Sequence, residues 1–218
     1  TTVGRAIVNI LRAMNYRVDI SGRVFYHHES GIVDLLSLRR RRMRSYRSDL
    51  QMVFQDPYSS LNPRMTVGQI IEEPLTIHTK FVQAERQERV HWLLSKVGLS
   101  SEHVGRYPHE FSGGQRQRIG IARALALQPD FIFCDEPTSS LDVSVQASFL
   151  NLLKDLQQEF SLTLLFVSHD LAVIRQMCDR VVVMKDGEAL EQGTNDDIFE
   201  HPKHHYTKSV LKHSKKYF

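Results

Sequence analysis

The fold follows from one segment, Phe131-Ile132-Phe133-Cys134-Asp135-Glu136-Pro137. Its four apolar residues predict a buried strand, and two adjacent carboxylates follow at the carboxyl end of that strand. In open α/β sheets ligands bind at this end of the strands. Because neighbouring strand residues point to opposite faces, we expect Asp135 to hold a metal, directly or through water, and Glu136 to orient or deprotonate a water. Two acids that merely cap a strand would give the same pattern.

Apolar strands alternate with helical patterns on both sides of this segment. Further strands are predicted at Arg23–Tyr26, Leu50–Phe54, Leu162–Val167 and Val181–Met184. Helices are predicted at Thr1–Met14, Leu35–Arg47, Thr66–Val97 with an interruption at Pro74, Ser112–Leu127, Ser144–Phe160 and Leu171–Cys178. This alternation predicts an α/β fold with a mainly parallel sheet buried on both faces. We expect one domain over residues 1–218, with a helical subdomain inserted at 59–128 and a C-terminal appendage at 195–218.

Composition narrows the class of protein. The net charge of +3 over 218 residues is too small to indicate nucleic acid by itself. No apolar run approaches the roughly 18 residues of a membrane span, and the first residues lack the apolar run of a signal peptide. We therefore expect a cytoplasmic location. Cys134 and Cys178 form no close motif, so neither a disulfide framework nor a zinc site is indicated.

Six arginines are concentrated at Arg39–Arg42, Arg44 and Arg47, which we call the arginine cluster. One interpretation is the electrostatic footprint of a nucleic-acid or ribosomal partner. The other, which we favour, is a solvated helix face. We expect no nucleic-acid partner, and a steep salt dependence of DNA or RNA affinity would reverse that expectation.

A glycine pair precedes a basic helix at Phe111-Ser112-Gly113-Gly114-Gln115. Adjacent glycines let the backbone approach an anion closely. The helix that follows directs its N-terminal amides outward, which is typical of an anion site. Taken alone, the pair could also be a glycine turn that only starts a helix.

Four motifs occur in this order along the chain: Gln55-Asp56-Pro57, Phe111–Gln115, Asp135–Asp142 and Ser168-His169-Asp170. Together they resemble the motifs of the nucleotide-binding subunit of an ATP-binding-cassette transporter. The resemblance covers essentially the whole chain. It implies a P-loop NTPase core of the RecA-like type, with ATP and Mg²⁺ as cofactors.

The resemblance also implies a role for each matching residue. Glu136 matches the catalytic glutamate, His169 the switch histidine, and Gln55 the glutamine that reaches the metal and the attacking water. Asp135 matches the metal-binding aspartate. The residues implied to contact ATP across a subunit interface are Ser112, Gly113, Gly114, Gln115 and Asp142.

The start of the chain departs from the family pattern. The phosphate loop of the family reads G-x-x-x-x-G-K-[ST], and its amides, lysine and hydroxyl hold phosphates and magnesium. Thr1 matches the [ST] position, with Thr2 beside it, so the glycines and lysine do not appear in these 218 residues. We expect weak or no ATP binding by the 218-residue polypeptide alone, whether it is a piece of a longer parent or a gene fragment.

The run from Gln55 to Pro74 and the run from Arg106 to Arg118 resemble the peptide-import branch, which takes up oligopeptides, dipeptides, glutathione or nickel. The ending His201-Pro-Lys-His-His-Tyr-Thr207 is similar to that of the branch, with His205 in place of the usual proline. Apolar residues after Gln55 would then receive a permease subunit. They are Tyr58, Leu61, Pro63 and Met65.

The expected partners are polytopic permease subunits, a second ATP-binding subunit that is identical or paralogous, and, indirectly, a substrate-binding protein outside the membrane. The expected place is the cytoplasmic face of the inner membrane. Two alternatives stay open: an ATP-binding-cassette ATPase that works on nucleic acid or ribosomes, and a catalytically dead fragment that only binds a partner.

Overall fold

The computed structural model describes residues 1–11 and 18–214. The chain separates into two compact units, residues 1–167 and residues 168–218. In chain order, the first unit contains α1 (Thr2–Ile7), β1 (Phe25–His28), β2 (Gly31–Asp34), α2 (Arg40–Met43), β3 (Leu50–Val53), α3 (Pro57–Ser60), α4 (Val67–His78), α5 (Gln83–Lys96), α6 (Gly113–Leu125), β4 (Phe131–Asp135), α7 (Val143–Phe160) and β5 (Thr163–Val167). The second contains α8 (Leu171–Met177), β6 (Arg180–Lys185), β7 (Glu188–Thr194), α9 (Asn195–Glu200) and α10 (His205–Ser214).

The centre of the first unit is a parallel sheet in the order β3-β4-β5. Met52 and Leu165 flank Phe133 in the strand register, and the Phe133 side chain is wholly buried with Met52 and Val8. A parallel sheet is stable when both faces are covered, which explains the apolar run of β4. The predicted α/β fold with a parallel sheet is confirmed.

Helices occupy the connection between β3 and β4. Arg86 pairs with Glu72 at 2.7 Å and joins α5 to α4, and Arg118 Nη1 donates to the carbonyl of Val97 at 2.7 Å. Pro74 lies inside α4 and does not interrupt it. The break falls instead after Thr79, whose hydroxyl donates to the carbonyl of Leu75 at 2.7 Å and closes the helix. The interpretation of 59–128 as an inserted subdomain stays a prediction.

The predicted helix over Leu35–Arg47 is wrong as a single element. The segment forms a 3₁₀ turn at Leu35–Ser37, the four-residue α2, and a second 3₁₀ turn at Arg44–Tyr46. Leu35 and Met43 are both buried beside Leu50. Packing of these two side chains fixes the segment, while arginines three or four positions apart would repel one another on a continuous helix.

The first helix is shorter than the predicted Thr1–Met14, because α1 ends at Ile7. Asn9 adopts a left-handed backbone with φ of 53°, and its side-chain amide donates to the carbonyl of Leu35 at 3.0 Å. Residues 12–14 of the prediction lie outside the described residues. The strand β2 escaped prediction, although it pairs antiparallel with β1.

The second unit contains an antiparallel hairpin of β6 and β7. The sequence predicted β6 but not the polar β7. Glu191 on β7 accepts hydrogen bonds from the backbone N–H groups of Lys203, at 2.7 Å, and His204, at 3.1 Å. These bonds attach the segment after α9 to the hairpin. The single-domain and appendage predictions stay predictions.

Within residues 1–11 and 18–214, no helix combines the length and the apolar content that crossing a membrane requires.

Candidate functional site

Asp135 lies at the carboxyl end of β4 and is completely buried. The hydroxyl of Thr1 donates to its Oδ1 at 2.7 Å, and Arg5 Nη2 lies 3.5 Å from its Oδ2. These contacts supply the hydrogen-bond donors and the opposite charge that a buried carboxylate requires. The structure thus brings together Thr1 and Asp135, two residues that the sequence predicted to hold a metal.

The helix α1 approaches β4 closely at Gly4. A Cβ atom on Gly4 would lie 2.1 Å from Cζ of Phe133. Only a residue without a side chain lets the helix lie this close to the sheet. The close approach sets the position of Thr1, one turn earlier, above Asp135.

Glu136 has left the strand conformation, with φ of 45°. Left-handed backbone is uncommon for a residue with a side chain and is concentrated at functional sites. The turn is held because the Glu136 N–H donates to the carbonyl of Val167 at 2.9 Å and the Glu136 carbonyl accepts from the Ser139 N–H at 3.3 Å. The two adjacent acids therefore occupy different environments, and their separate roles stay predictions.

Gln55 contacts the carboxylate of Glu136, since its Nε2 donates to Glu136 Oε2 at 3.1 Å. Gln55 lies two residues after β3, which neighbours β4. The next residue, Asp56, begins α3, and the Tyr58 N–H donates to its side chain at 2.8 Å. That bond lowers the pKa of the Asp56 carboxyl group. Two of the three predicted catalytic residues thus meet at the carboxyl edge of the sheet.

The glycine pair opens α6 as predicted. Ser112 is the N-cap: its Oγ accepts from the Gln115 N–H at 3.4 Å, and Gln115 Oε1 accepts from the Ser112 N–H at 3.0 Å. This reciprocal capping box fixes the helix start. A Cβ on Gly114 would lie 2.4 Å from Cγ1 of Val145 on α7, so Gly114 is required for close packing. Around Gly113 the nearest atom to such a Cβ is 3.8 Å away, so a side chain there would meet no steric clash.

Three further site residues were predicted from the sequence, and the contacts described so far do not involve them. Thr2 is exposed at the first position of α1, and Asp142 is exposed immediately before α7. His169 is exposed in the second unit. It precedes Asp170, whose carboxylate accepts from the Ala172 N–H at 2.9 Å and caps α8. The functional roles of these three residues stay predictions.

Sequence reasoning missed Arg5, which lies beside the Asp135 carboxylate. Its signal is the spacing of four residues from Thr1, because positions i and i+4 share one face of a helix. The expectation that Leu61 offers an apolar contact to a partner is wrong, since Leu61 is 2% exposed and belongs to the core. Tyr58, by contrast, is 67% exposed.

Comparison with known proteins agrees with these motifs. Residues 2–139, more than half of the chain, match the family model described as "ABC transporter". The chain belongs to the ABC transporter family. It is 50% identical over 212 residues to the oligopeptide transport ATP-binding protein OppF of Salmonella typhimurium, covering 97% of this chain and 60% of that protein. To OppF of Bacillus subtilis it is 49% identical, and it covers 67% of that protein. The chain thus spans about three fifths to two thirds of the length of these ABC relatives.

Solved ABC structures share the fold. The dimeric ATP-binding cassette MJ0796, in a post-hydrolysis state with ADP and Pi, aligns with a TM-score of 0.70 at 29% identity, over 87% of this chain and 79% of that one. The protein cbiO1 of Clostridium perfringens, part of the ABC transporter complex cbiONQ, aligns with a TM-score of 0.73 at 28% identity, over 91% of this chain and 76% of that one. The fold is therefore that of an ABC ATPase domain with a P-loop NTPase core.

Proposed function

We propose that this chain is part of the ATP-hydrolysing motor subunit of a peptide-type ABC importer. The observation that carries the proposal is the pairing of Thr1 with Asp135 and of Gln55 with Glu136 at the carboxyl edge of the sheet. Family membership supports nucleotide hydrolysis. The identity of about 50% to oligopeptide transport ATP-binding proteins supports peptide import.

We propose Mg²⁺ as the metal, held by the hydroxyl of Thr1, the carboxylate of Asp135 and the side-chain oxygen of Gln55. The donor set fits, because a hydroxyl oxygen lies 2.7 Å from a carboxylate oxygen and Mg²⁺ prefers hard oxygen ligands shared with substrate phosphates. No group of three or more His, Cys, Asp or Glu that could hold a metal occurs in the described parts of the chain. When bound, the ion would neutralise charge on the ATP phosphates.

Phosphoryl transfer depends on positioning and charge stabilisation more than on covalent chemistry. In our proposal Glu136 orients the attacking water and accepts its proton, while the amide of Gln55 holds the Glu136 carboxylate in place. Thr2 contributes to ATP binding from the start of α1. His169 would contact the γ-phosphate, a role that rests on the resemblance of Ser168-His169-Asp170 to the family motif.

The proposed motor closes head to tail with a second ATP-binding subunit, identical or paralogous. Ser112, Gly113, Gly114 and Gln115 would contact the γ-phosphate of ATP held by that subunit, and Asp142 would reach across the same interface. The 13-residue helix α6 begins at Gly113, and amides at a helix start favour negative charge.

The proposed motor lies at the cytoplasmic face of the inner membrane, and its proposed partners are polytopic permease subunits. A substrate-binding protein on the other side would deliver the peptide. Tyr58, Pro63 and Met65 belong to the proposed permease-docking surface, and Leu61 does not, because its side chain is buried.

A Glu136→Gln substitution in the full-length protein tests the catalytic assignment. Loss of a general base typically lowers turnover by about 10²–10⁴-fold, and we expect a loss in that range with ATP binding retained. ATPase rate and nucleotide affinity are measured on the purified assembly with its permease. Glu88→Gln, at an exposed position of α5, is the matched control and should leave both unchanged. An unaltered ATPase rate in Glu136→Gln would refute the role.

Measurements on the same assembly distinguish the importer from the two alternative functions. Co-purification with two polytopic membrane proteins and peptide-stimulated ATPase activity support the importer. ATPase activity that depends on DNA, RNA or ribosomes supports the alternative of an ATPase that works on nucleic acid or ribosomes. Absence of any ATPase activity in the full-length assembly supports the second, a catalytically dead binder.

A further inference from the structure

The segment of residues 55–60, which we call the glutamine segment, rests on α6 at both of its ends. Gln117, which is buried, donates from Nε2 to the carbonyl of Gln55 at 3.4 Å. Arg123 donates from Nη1 to the carbonyl of Ser60 at 2.6 Å. Because both contacts reach backbone carbonyls, they hold the path of the segment and not only its side chains.

Between these two contacts Arg116 stacks on Tyr58. The guanidinium carbon of Arg116 lies 3.6 Å from the centre of the Tyr58 ring. Arg116 itself is 5% exposed. It donates from Nε to the carbonyl of Pro108 at 2.7 Å and from Nη2 to that of His109 at 3.3 Å. The chain continues from there through Glu110 and Phe111 into Ser112–Gln115, which we call the signature loop, so one guanidinium joins the tyrosine to the entrance of this loop.

The two sides of this stack have different environments. Tyr58 is 67% exposed, so most of its surface stays open to a partner. Arg116 Nη1 is buried and makes no hydrogen bond within the described residues. A buried charged donor without a partner is costly to a fold. The ring of Tyr58 supplies compensation through the cation–π attraction that such a desolvated guanidinium gains.

We propose that Arg116 is a positioning residue that transmits displacement of Tyr58 to the signature loop Ser112–Gln115. A partner that presses on Tyr58 moves the glutamine segment and, through the stacked guanidinium, the carbonyls of residues 108 and 109. The same movement reaches Glu136 through Gln55. This inference rests on the proposed function, because the pressing partner is the permease of the importer.

The test uses the full-length subunit assembled with its permease in lipid nanodiscs and stimulated by peptide-loaded binding protein. Basal ATPase rate, stimulated ATPase rate and the ATP concentration at half-maximal rate are measured. Tyr58→Ala and Arg116→Met each remove the stack, whereas Tyr58→Phe keeps the ring and Arg116→Lys keeps only the charge. Arg89→Met is the matched control, because Arg89 stacks on Trp92 at 4.1 Å in α5 without a contact to the glutamine segment described here.

We expect Tyr58→Ala to lower the ratio of stimulated to basal rate by about threefold or more, the factor that a lost cation–π contact corresponds to. The ATP concentration at half-maximal rate should not change. Arg116→Met and Arg116→Lys should lower the same ratio, because a lysine does not reproduce a planar stack. The double variant should be no worse than the more affected single variant, since coupled residues are not additive. Tyr58→Phe and Arg89→Met should match the parent protein.

Any of three results would overturn the transmission role: an unchanged ratio in Tyr58→Ala, full additivity of the two substitutions, or an equal loss in Arg89→Met. If an Arg116 variant does not fold, Tyr58→Ala still decides, because Tyr58 is exposed. Absence of peptide-stimulated ATPase activity in the parent assembly contradicts the proposed function instead. Peptide-stimulated ATPase activity that is normal and does not change when the Tyr58–Arg116 stack is removed contradicts only this inference.

Discussion

At the scale of single residues, two side chains contact the acids of the site from distant positions in the sequence. Thr1 reaches Asp135 across 134 positions, and Gln55 reaches Glu136 across 81. Neither contact is local, so each depends on how closely the backbone elements approach one another. The tightest of these approaches is at Gly4, where α1 meets the ring of Phe133.

A Gly4→Ala substitution should destabilise the protein. The added Cβ would lie 2.1 to 2.5 Å from three ring atoms of Phe133, a wholly buried side chain. Overpacking of this kind typically costs about 1–3 kcal/mol of unfolding free energy. Urea denaturation of the full-length protein measures the loss, and the metal-dependent affinity for ATP should fall with it because Thr1 is displaced.

Gly120→Ala is the matched control for that experiment. Gly120 also lies in a helix, α6, but no atom lies within 4 Å of the Cβ that alanine would add. Alanine in a helix interior is more favourable than glycine by about 0.5–1 kcal/mol, so this variant should gain stability. Equal effects of the two substitutions would show that the Phe133 contact does not constrain α1.

At the scale of elements, the sequence predicted helices and strands best where the residue pattern of an element agrees with its packing. The strand at residues 131–135 follows from an apolar run, and the helix that begins after Ser112 follows from the glycine pair and the helical pattern after it. The segment Leu35–Arg47 did not, because burial of Leu35 and Met43 overrides helical spacing. The polar β7 was missed because strand pairing with β6 stabilises it, and pairing leaves no apolar signature. Arg116 escaped notice for the same reason, since its importance lies in a long-range contact with Tyr58.

The end of α4 should make stability depend on pH. Desolvation, with the charges of Arg44 and Arg47, lowers the pKa of His78 below its ordinary value of 6.5. The unfolded chain therefore binds a proton more readily than the folded one, so unfolding free energy falls as pH drops from about 6.5 towards the lower folded pKa. His78→Gln should reduce that slope, measured by urea denaturation between pH 5 and 8. An identical slope in both proteins would contradict the assignment.

At the scale of the whole molecule, positive charge is concentrated in the arginine cluster. The net charge is only +3, yet Arg39–Arg42 are all exposed. The aromatic residue in that segment, Tyr46, packs edge-on against Tyr26 with ring centres 6.1 Å apart. Single-stranded nucleic acids are usually bound by basic grooves with aromatic rings that are free to stack on bases. The arginine cluster therefore supplies positive charge, but its aromatic residue, Tyr46, is not free to stack on a base.

We accordingly expect the full-length protein to bind neither duplex DNA nor RNA measurably at physiological salt. Non-specific nucleic-acid binding has dissociation constants of about 10⁻⁴–10⁻⁶ M under these conditions, and fluorescence anisotropy with a labelled duplex covers that range. Were all six arginines to contact phosphates, log affinity would fall with log salt at a slope of about −5. A slope this steep, reduced in a variant with Arg39, Arg40 and Arg41 each changed to Gln, would support a nucleic-acid function. The opposite result is a flat salt response, together with peptide-stimulated ATPase activity that the same three substitutions do not change. It would indicate that the arginine cluster is a solvated surface, and it would support the importer as the function that the site serves.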